Sequence, residues 1–309
     1  MISTSEQSAN LLMQAEERAR QHDWQGAANL AMQALALDNS NPDLVDKVGW
    51  YLSRAKRHRQ AIKVYQTLVE HDPEWARWAY MLGYQHYELQ EWREAVTWFD
   101  RAVTLHSTYI VALYRKGYAH TKLNEVGAAQ RSLRACIAAW EALDTQEQEQ
   151  QAKHYGRACF QLGKLELDQG RSRVAEPLLA EAVRLDSDEP YGHYNLGKAL
   201  LKNGKAAEAL HHFKIVDRLK PHQHWLVVPM AQAHAALEQF AESEAILRRV
   251  PPRRRESYMA NELGKVLLAQ GRAAEAKEIM RGVIIRDDAN HYSFLVLAQA
   301  YEACGEATA

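Results

Sequence analysis

The chain has 309 residues, 47% apolar and 25% charged, which is the balance of an ordinary folded protein and excludes a disordered or collagen-like one. Its 38 Lys and Arg against 39 Asp and Glu leave a net charge of −1, without the global basic field common in nucleic-acid binders. Three cysteines, Cys136, Cys159 and Cys304, are odd in number and form no short paired motif, which fits a reducing, cytoplasmic location.

Residues 1–10 contain neither a basic nor an apolar signal region, so no signal peptide is read there, and residues 1–7 are expected to form a flexible N-terminus. From Ser8 a spacing of about 34 residues organises the chain. The first unit has Ala15, Trp24, Ala27, Ala31 and Ala34 at positions 8, 17, 20, 24 and 27. The second, from Pro42, has Val48, Gly49, Ala61 and Tyr65 at positions 7, 8, 20 and 24. The third, from Ala76, is the fullest, with Leu82, Gly83, Trp92, Ala95, Phe99 and Ala102 at 7, 8, 17, 20, 24 and 27. The fourth, from Ile110, carries Leu113, Gly117, Ala129, Leu133 and Cys136. After an insertion at 144–155, the fifth unit, from Gly156, has Leu162, Gly163, Ala175 and Leu179. The sixth, from Pro190, has Leu196, Gly197, Ala209 and Phe213. The seventh, from His224, is looser (Met230, Ala231, Ser243, Leu247), and the eighth, from Ser257, restores Leu263, Gly264, Ala276 and Met280. A further first helix starts at His291.

Glycine inside a helix costs about 1 kcal/mol against alanine. Its recurrence at position 8, opposite a small residue at 20, therefore implies a close helix crossing around which the larger residues at 7 and 24 interdigitate. The pattern resembles the tetratricopeptide repeat (TPR), a helix–turn–helix unit of about 34 residues. The resemblance implies an all-α fold, a right-handed α-solenoid of about eight TPR helix–turn–helix repeats plus a C-terminal helix. Repeats one to four would cover 8–143, an extended helix 144–155, repeats five to eight 156–290 and the terminal helix 291–309, all in one continuous superhelical domain.

Three departures carry expectations. Asp144 stands three residues before Glu147 as a capping box, so the insertion is read as an early start of the fifth unit's first helix, which then projects. Pro229, at position 6, should delay the seventh unit's first helix to about Leu226–Val228. Pro251 and Pro252 should end that unit sharply.

No phosphate loop, Gly-x-Ser-x-Gly, His-Glu-x-x-His or Cys-x-x-Cys occurs, so neither a catalytic set nor a cofactor is expected. His211, His212, His222 and His224 lie close in sequence, but no cysteine or carboxylate completes a metal set; they read as an exposed helix surface and a loop. His86, His120 and His234 share position 11, a packing position, and Cys136 reads as core filling.

At about 100° per residue, positions 2, 5, 9 and 12 form a strip opposite the packing face, with 6 and 13 at its edge. The TPR resemblance implies that this strip lines a concave groove. It carries Trp50 and Arg54; Arg77, Tyr80, Met81, Tyr84, Tyr87 and Glu88; Tyr114, Arg115, Tyr118 and Lys122; Arg157, Phe160, Lys164 and Asp168; and Tyr191, Tyr194, Asn195, Lys198 and Lys202. From the third unit to the sixth its cations outnumber Glu88 and Asp168 by five. Such a strip holds a partner by stacking, cation–π contact and charge-assisted hydrogen bonds. The alternative is that these tyrosines belong to the packing of the repeat and the lysines to a solvated face. The carboxylate clamp of one TPR subclass is absent, since Asn195 is flanked by Phe160, Lys164, Trp225 and Pro229.

A second basic feature, Arg248, Arg249, Arg253, Arg254 and Arg255, reads first as a solvated corner and second as a contact for phosphates or an acidic partner. The helix from His291 presents Phe294, Leu297 and Tyr301 where a further second helix would pack; either the protein continues or two copies pair there. The apolar runs at 225–231 and 294–300 are too short to span a bilayer, so no membrane insertion is expected. The reading is a non-enzymatic protein–protein interaction scaffold that takes a protein or acidic peptide segment in a basic, tyrosine-rich groove. The alternatives are a single-stranded RNA-binding repeat protein and a TPR module of a larger enzyme or assembly.

Overall fold

The computed structural model describes residues 4–38, 41–286 and 291–306. Among them the chain is all α, without a strand. Helices come in pairs: α1 (Thr4–Arg20) and α2 (Trp24–Leu37), α3 (Pro42–Arg54) and α4 (His58–His71), α5 (Ala76–Glu88) and α6 (Trp92–Leu105), α7 (Ile110–Lys122) and α8 (Val126–Glu141). The pairs continue with α9 (Thr145–Asp168) and α10 (Ser172–Leu185), α11 (Pro190–Lys202) and α12 (Ala206–Leu219), α13 (His224–Ala236) and α14 (Phe240–Arg248), α15 (Ser257–Ala269) and α16 (Ala273–Arg286); α17 (His291–Ala303) follows. No helix among the described residues is long and apolar enough to cross a membrane. Contacts divide the chain into two compact units, Met1–Leu162 and Gly163–Ala309, called from here the first and the second unit. The division falls inside α9, the helix that the insertion lengthens to 24 residues.

Each first helix ends in the same way. The residue at position 15 adopts a left-handed backbone: His22, Lys56, Gln90, Asn124 and Glu238 at φ 58–61°, and Gly170, Gly204, Gly271 and Gly305 at 76–81°. The next residue's N–H then reaches back to the carbonyl at position 11, as in Glu91 to His86, Lys205 to Leu200 and Glu306 to Tyr301, each at 2.9 Å. This closure satisfies a carbonyl that the helix end leaves open and turns the chain into its second helix. Side chains reinforce it. The Nδ1–H groups of His86 and His120 donate to Glu91 and Glu125 at 2.7 Å, His234 Nδ1–H donates to Gln239 at 2.8 Å, and Arg171 pairs with the buried Glu166. The position-11 histidines thus bridge the turn as well as pack.

The crossing of each pair is as tight as the small residues imply. A Cβ added at Gly49 would meet Tyr65 at 2.7 Å, one at Gly83 would meet Phe99 at 2.9 Å, and one at Gly197 would meet Phe213 at 2.5 Å. Where position 8 is alanine, Ala15 and Ala31 are both fully buried in the first repeat, and in the seventh Ser243 Oγ donates to the Ala231 carbonyl at 2.8 Å. Tyr65, Phe99 and Phe213 are fully buried.

Of the N-terminal residues 1–7, residues 1–3 lie outside the described residues and 4–7 open α1; next to them Ser8 is buried and its Oγ donates to the Ala34 carbonyl at 2.9 Å. The capping box forms, with Glu147 N–H donating to Asp144 Oδ1 at 2.9 Å and Asp144 N–H to Glu147 Oε2 at 3.4 Å. The early part of α9 does not project freely; Tyr155 stacks on Trp140 at 3.7 Å, and Trp140 Nε1–H donates to the Gln148 carbonyl. Pro229 does not delay α13, which starts at His224. In the second turn a proline forfeits only the bond to Trp225, and the buried Leu226, Met230 and Ala231 hold the helix on its neighbours. α14 is short, nine residues, and gives way to a 3-10 turn at Pro252–Arg254.

Candidate functional site

In the first unit α5 carries tyrosines at 80, 84 and 87, the four-and-three spacing that places side chains on one helix face. Their rings form a row, Tyr80 to Tyr84 at 6.4 Å and Tyr84 to Tyr87 at 6.5 Å between centroids. From α7, Tyr118 lies 5.7 Å from Tyr87 and 6.4 Å from Tyr114, and Trp92 meets Tyr87 edge-on at 5.3 Å. Arg115 rests on this surface with its guanidinium carbon 4.3 Å from the Tyr84 ring and 5.1 Å from the Tyr87 ring.

Beside the row lies an open cleft of about 640 Å³ between Trp50 and Arg54 of α3, Arg77, Tyr80 and Tyr84 of α5, and Arg115 of α7. Trp50 is braced edge-on by Trp24 at 5.4 Å, and Arg77 donates to Asp46 at 2.7 Å. Burial raises the pKa of Tyr80, Tyr84, Tyr87 and Tyr114, so their phenols stay neutral at physiological pH. His154, 6.0 Å from the Tyr114 ring, is pushed down to about 4 by burial and then by the charges of Arg115 and Arg157. The cleft therefore presents the cations of Arg54, Arg77 and Arg115 and the single carboxylate of Glu88 among neutral hydroxyls and flat rings. That set suits recognition of an anionic, partly apolar chain better than proton transfer near neutrality.

The remaining strip residues fare unevenly. Tyr114 is 8% exposed and Asn195 7% exposed, so neither offers an open contact; Asn195 Nδ2 donates to the Tyr191 carbonyl at 2.8 Å within its own helix. Lys122, Arg157, Lys164 and Lys202 are exposed, and Phe160 is half-buried. Lys122 Nζ lies 5.1 Å from the Tyr118 ring, and Lys198 Nζ lies 5.4 Å from the Tyr194 ring. Trp92, whose position 17 belongs to the repeat signature, is a ring of the site that the strip rule misses.

The arginine corner divides. Arg255 is buried and donates to the Val250 carbonyl at 2.9 Å, and Arg248 is held by Glu244 and Glu275, so these two are structural rather than open contacts. Arg249, Arg253 and Arg254 are exposed. In α17, Ser293, Val296 and Ala300 are buried, Leu297 and Tyr301 are partly covered, and Phe294 is 44% exposed. No group of three or more His, Cys, Asp or Glu among the described residues is placed to hold a metal. His212 instead pairs with His193, Nδ1 to Nδ1 at 2.8 Å, while His193 Nε2–H donates to the Ser187 carbonyl at 2.9 Å. Cys136 is buried, and burial pushes its thiol up to about 12.

Two tetratricopeptide repeat family models match the chain, one at residues 49–110 and 160–224 and the other at 200–264. Among solved structures, YrrB, described as a TPR protein with an unusual peptide-binding site, is 16% identical with a TM-score of 0.50, over 75% of this chain and 96% of that one. The pilF protein of Pseudomonas aeruginosa is 17% identical with a TM-score of 0.52, over 68% of this chain and 92% of that one. A double mutant of MamA is 23% identical with a TM-score of 0.50, over 59% and 96%. At these identities the likeness concerns the fold alone. No curated protein sequence matches the chain. The chain belongs to the tetratricopeptide repeat family, α-solenoids of helix–turn–helix units that generally mediate protein–protein interactions.

Proposed function

We propose that this protein is a non-enzymatic interaction scaffold whose first unit holds an acidic segment of a partner protein in the cleft beside the tyrosine row. The observation that carries the reading is Arg115, held over Tyr84 and Tyr87 at the edge of the open cleft. A guanidinium fixed on aromatic faces loses little freedom when it binds a carboxylate, and tyrosine and arginine dominate binding energies at protein interfaces. Trp50, Tyr80 and Tyr84 offer apolar ring surface for an anchoring side chain, while Arg54 and Arg115 add positive charge beside it.

The test is affinity capture from the native host, with wild type and with a Tyr84→Ala, Arg115→Ala variant, before and after nuclease treatment. The expected result is a partner protein retained after nuclease and weakened by about 2 kcal/mol or more in the variant, with melting temperature little changed. Loss of the captured material on nuclease treatment would instead favour single-stranded RNA, whose affinity should then fall steeply with salt.

A further inference from the structure

At one corner of the second unit positive charge collects without a counter-charge. Beyond α14 the chain passes Val250, makes the 3-10 turn Pro252–Arg254 and enters α15 through Arg255 and Glu256; Arg286, at the end of α16, reaches over to this turn. The arginines beside the corner behave differently. Arg248 and Arg272 share the carboxylates of Glu244 and Glu275 in a closed set of ion pairs. Among the described residues Arg253, Arg254, Arg255 and Arg286 form no ion pair, and Glu256, exposed, is the carboxylate that the turn itself brings. Asp287 and Asp288, which follow Arg286 in the sequence, lie outside the described residues. Arg249 stands apart, because it lines a pocket of about 230 Å³ with Asp217, His222 and His224.

The turn is firmly held. The Arg254 N–H donates to the Pro251 carbonyl at 2.9 Å, and the Arg255 N–H donates to the Pro252 carbonyl at 3.4 Å. Arg255 Nη2–H donates to the Val250 carbonyl at 2.9 Å. Arg286 donates from Nε to the Gly282 carbonyl at 3.0 Å and from Nη1 to the Pro252 carbonyl at 3.4 Å. Arg255 is only 9% exposed, and a cation so deep is costly without a carboxylate beside it. Burial, and then the charges of Arg248 and Arg286, push its pKa below the ordinary arginine range. An anion at the surface of the corner would offset that mutual repulsion.

We propose that this corner binds a compact phosphorylated anion, free in solution, through Arg253, Arg254 and Arg286, with the charge of Arg255 adding attraction from the interior. The site shares no residue with the cleft of the first unit and does not depend on it. A guanidinium offers its N–H groups as a planar fork that matches phosphate oxygens two at a time. Arg253 and Arg254 are exposed and make no side-chain hydrogen bond among the described residues, so their forks are open; Arg286 is exposed and keeps its remaining N–H groups. Arg253 and Arg254 are neighbours, about 3.8 Å apart at Cα, and Arg286 bonds the carbonyl of the residue before them. Three guanidinium groups are thus rooted at one turn. That footprint fits linked phosphoryl groups better than a nucleic acid, which needs cations spread along a groove and rings on which bases stack. Residues 249–256 contain no aromatic side chain.

The test is isothermal titration calorimetry of the full chain with inorganic pyrophosphate, at physiological ionic strength set with sodium chloride. Saturable binding is expected. It should weaken by about tenfold or more in an Arg253→Ser, Arg254→Ser variant and in Arg286→Ser. It should be unchanged in Tyr84→Ala, Arg115→Ala, and in Arg93→Ser, Arg173→Ser, which removes the same charge from exposed positions of α6 and α10. Pyrophosphate should also raise the melting temperature of the wild type but not that of the Arg253→Ser, Arg254→Ser variant. Circular dichroism checks that each variant is folded; Arg253 and Arg254, whose side chains hold nothing in place, keep the test open should Arg286→Ser loosen the turn. The proposal is overturned if the wild type shows no saturable binding, or if the Arg93→Ser, Arg173→Ser control weakens it equally, since net charge alone would then be at work. Tighter binding of oligouridylate or of phosphatidylserine vesicles than of pyrophosphate would overturn it as well.

Discussion

Two glycines in the second unit separate packing from propensity at the level of single atoms. Gly197 and Gly282 both sit inside helices, where alanine is favoured by about 1 kcal/mol. A Cβ at Gly197 would lie 2.5 Å from Phe213 Cε1, whereas one at Gly282 meets nothing within 4 Å. Gly197→Ala is therefore expected to destabilise by about 1–3 kcal/mol through overpacking, and Gly282→Ala to stabilise by up to about 1 kcal/mol. Urea denaturation of both variants checks the pair; equal shifts of the same sign would mean that position 8 is not a contact of the kind described. This feature was legible in the sequence because it recurs in phase, with Tyr65, Phe99 and Phe213 set against Gly49, Gly83 and Gly197. The exposure of single strip residues was less legible. Tyr114 and Asn195 share the strip's helical angle with open residues, but what covers them comes from neighbouring turns, and a one-helix projection contains no neighbour.

The helix ends were only half visible. Glycine marks the left-handed turn at Gly170, Gly204, Gly271 and Gly305, but His22, Lys56, Gln90, Asn124 and Glu238 hold the same conformation without the residue that adopts it freely. Packing of the two helices on each side imposes it there, at a local cost. Replacing Gln90, an exposed residue, with glycine should relieve that cost and raise stability by about 0.5–1 kcal/mol, seen as a higher melting temperature. A lower one would show that the chain-entropy penalty of glycine outweighs the relief. The same weighing explains the misread α13. A proline lowers local helix propensity, but tertiary burial on both sides of Pro229 sets the helix start. The capping box was read correctly for the opposite reason, since Asp144 and Glu147 satisfy each other's backbone groups without outside help.

Across the molecule the near-zero net charge conceals a sorted arrangement, in which cations gather on first helices beside rings while many carboxylates are tied into ion pairs. Glu91, Glu176, Glu244 and Glu275 have lowered pKa values from hydrogen bonds to His86, Lys205, Arg248 and Arg272 and their neighbours. Each unit also contains a histidine held neutral. His154 in the first and His212 in the second are both pushed down from the ordinary 6.5 to about 4, chiefly by burial. Arg115 and Arg157 add to the shift at His154, and His193 and His211 add to it at His212. Because these pKa values are depressed, the unfolded chain binds more protons as pH falls below 6.5, and folded stability declines until pH passes through about 4. Above 6.5 both histidines are neutral in either state and contribute no slope. The lowered carboxylates act in the same direction at lower pH, below their ordinary 4.5. A urea series should therefore show stability level at pH 7–8 and falling from about pH 6.5 downward. In a His154→Phe, His212→Phe variant the decline should begin only near pH 5, where the carboxylates start to take up protons. An unchanged slope between pH 6.5 and 5 in that variant would assign the loss to other groups, and would mean that protonated His154 and His212 are accommodated without opening either unit.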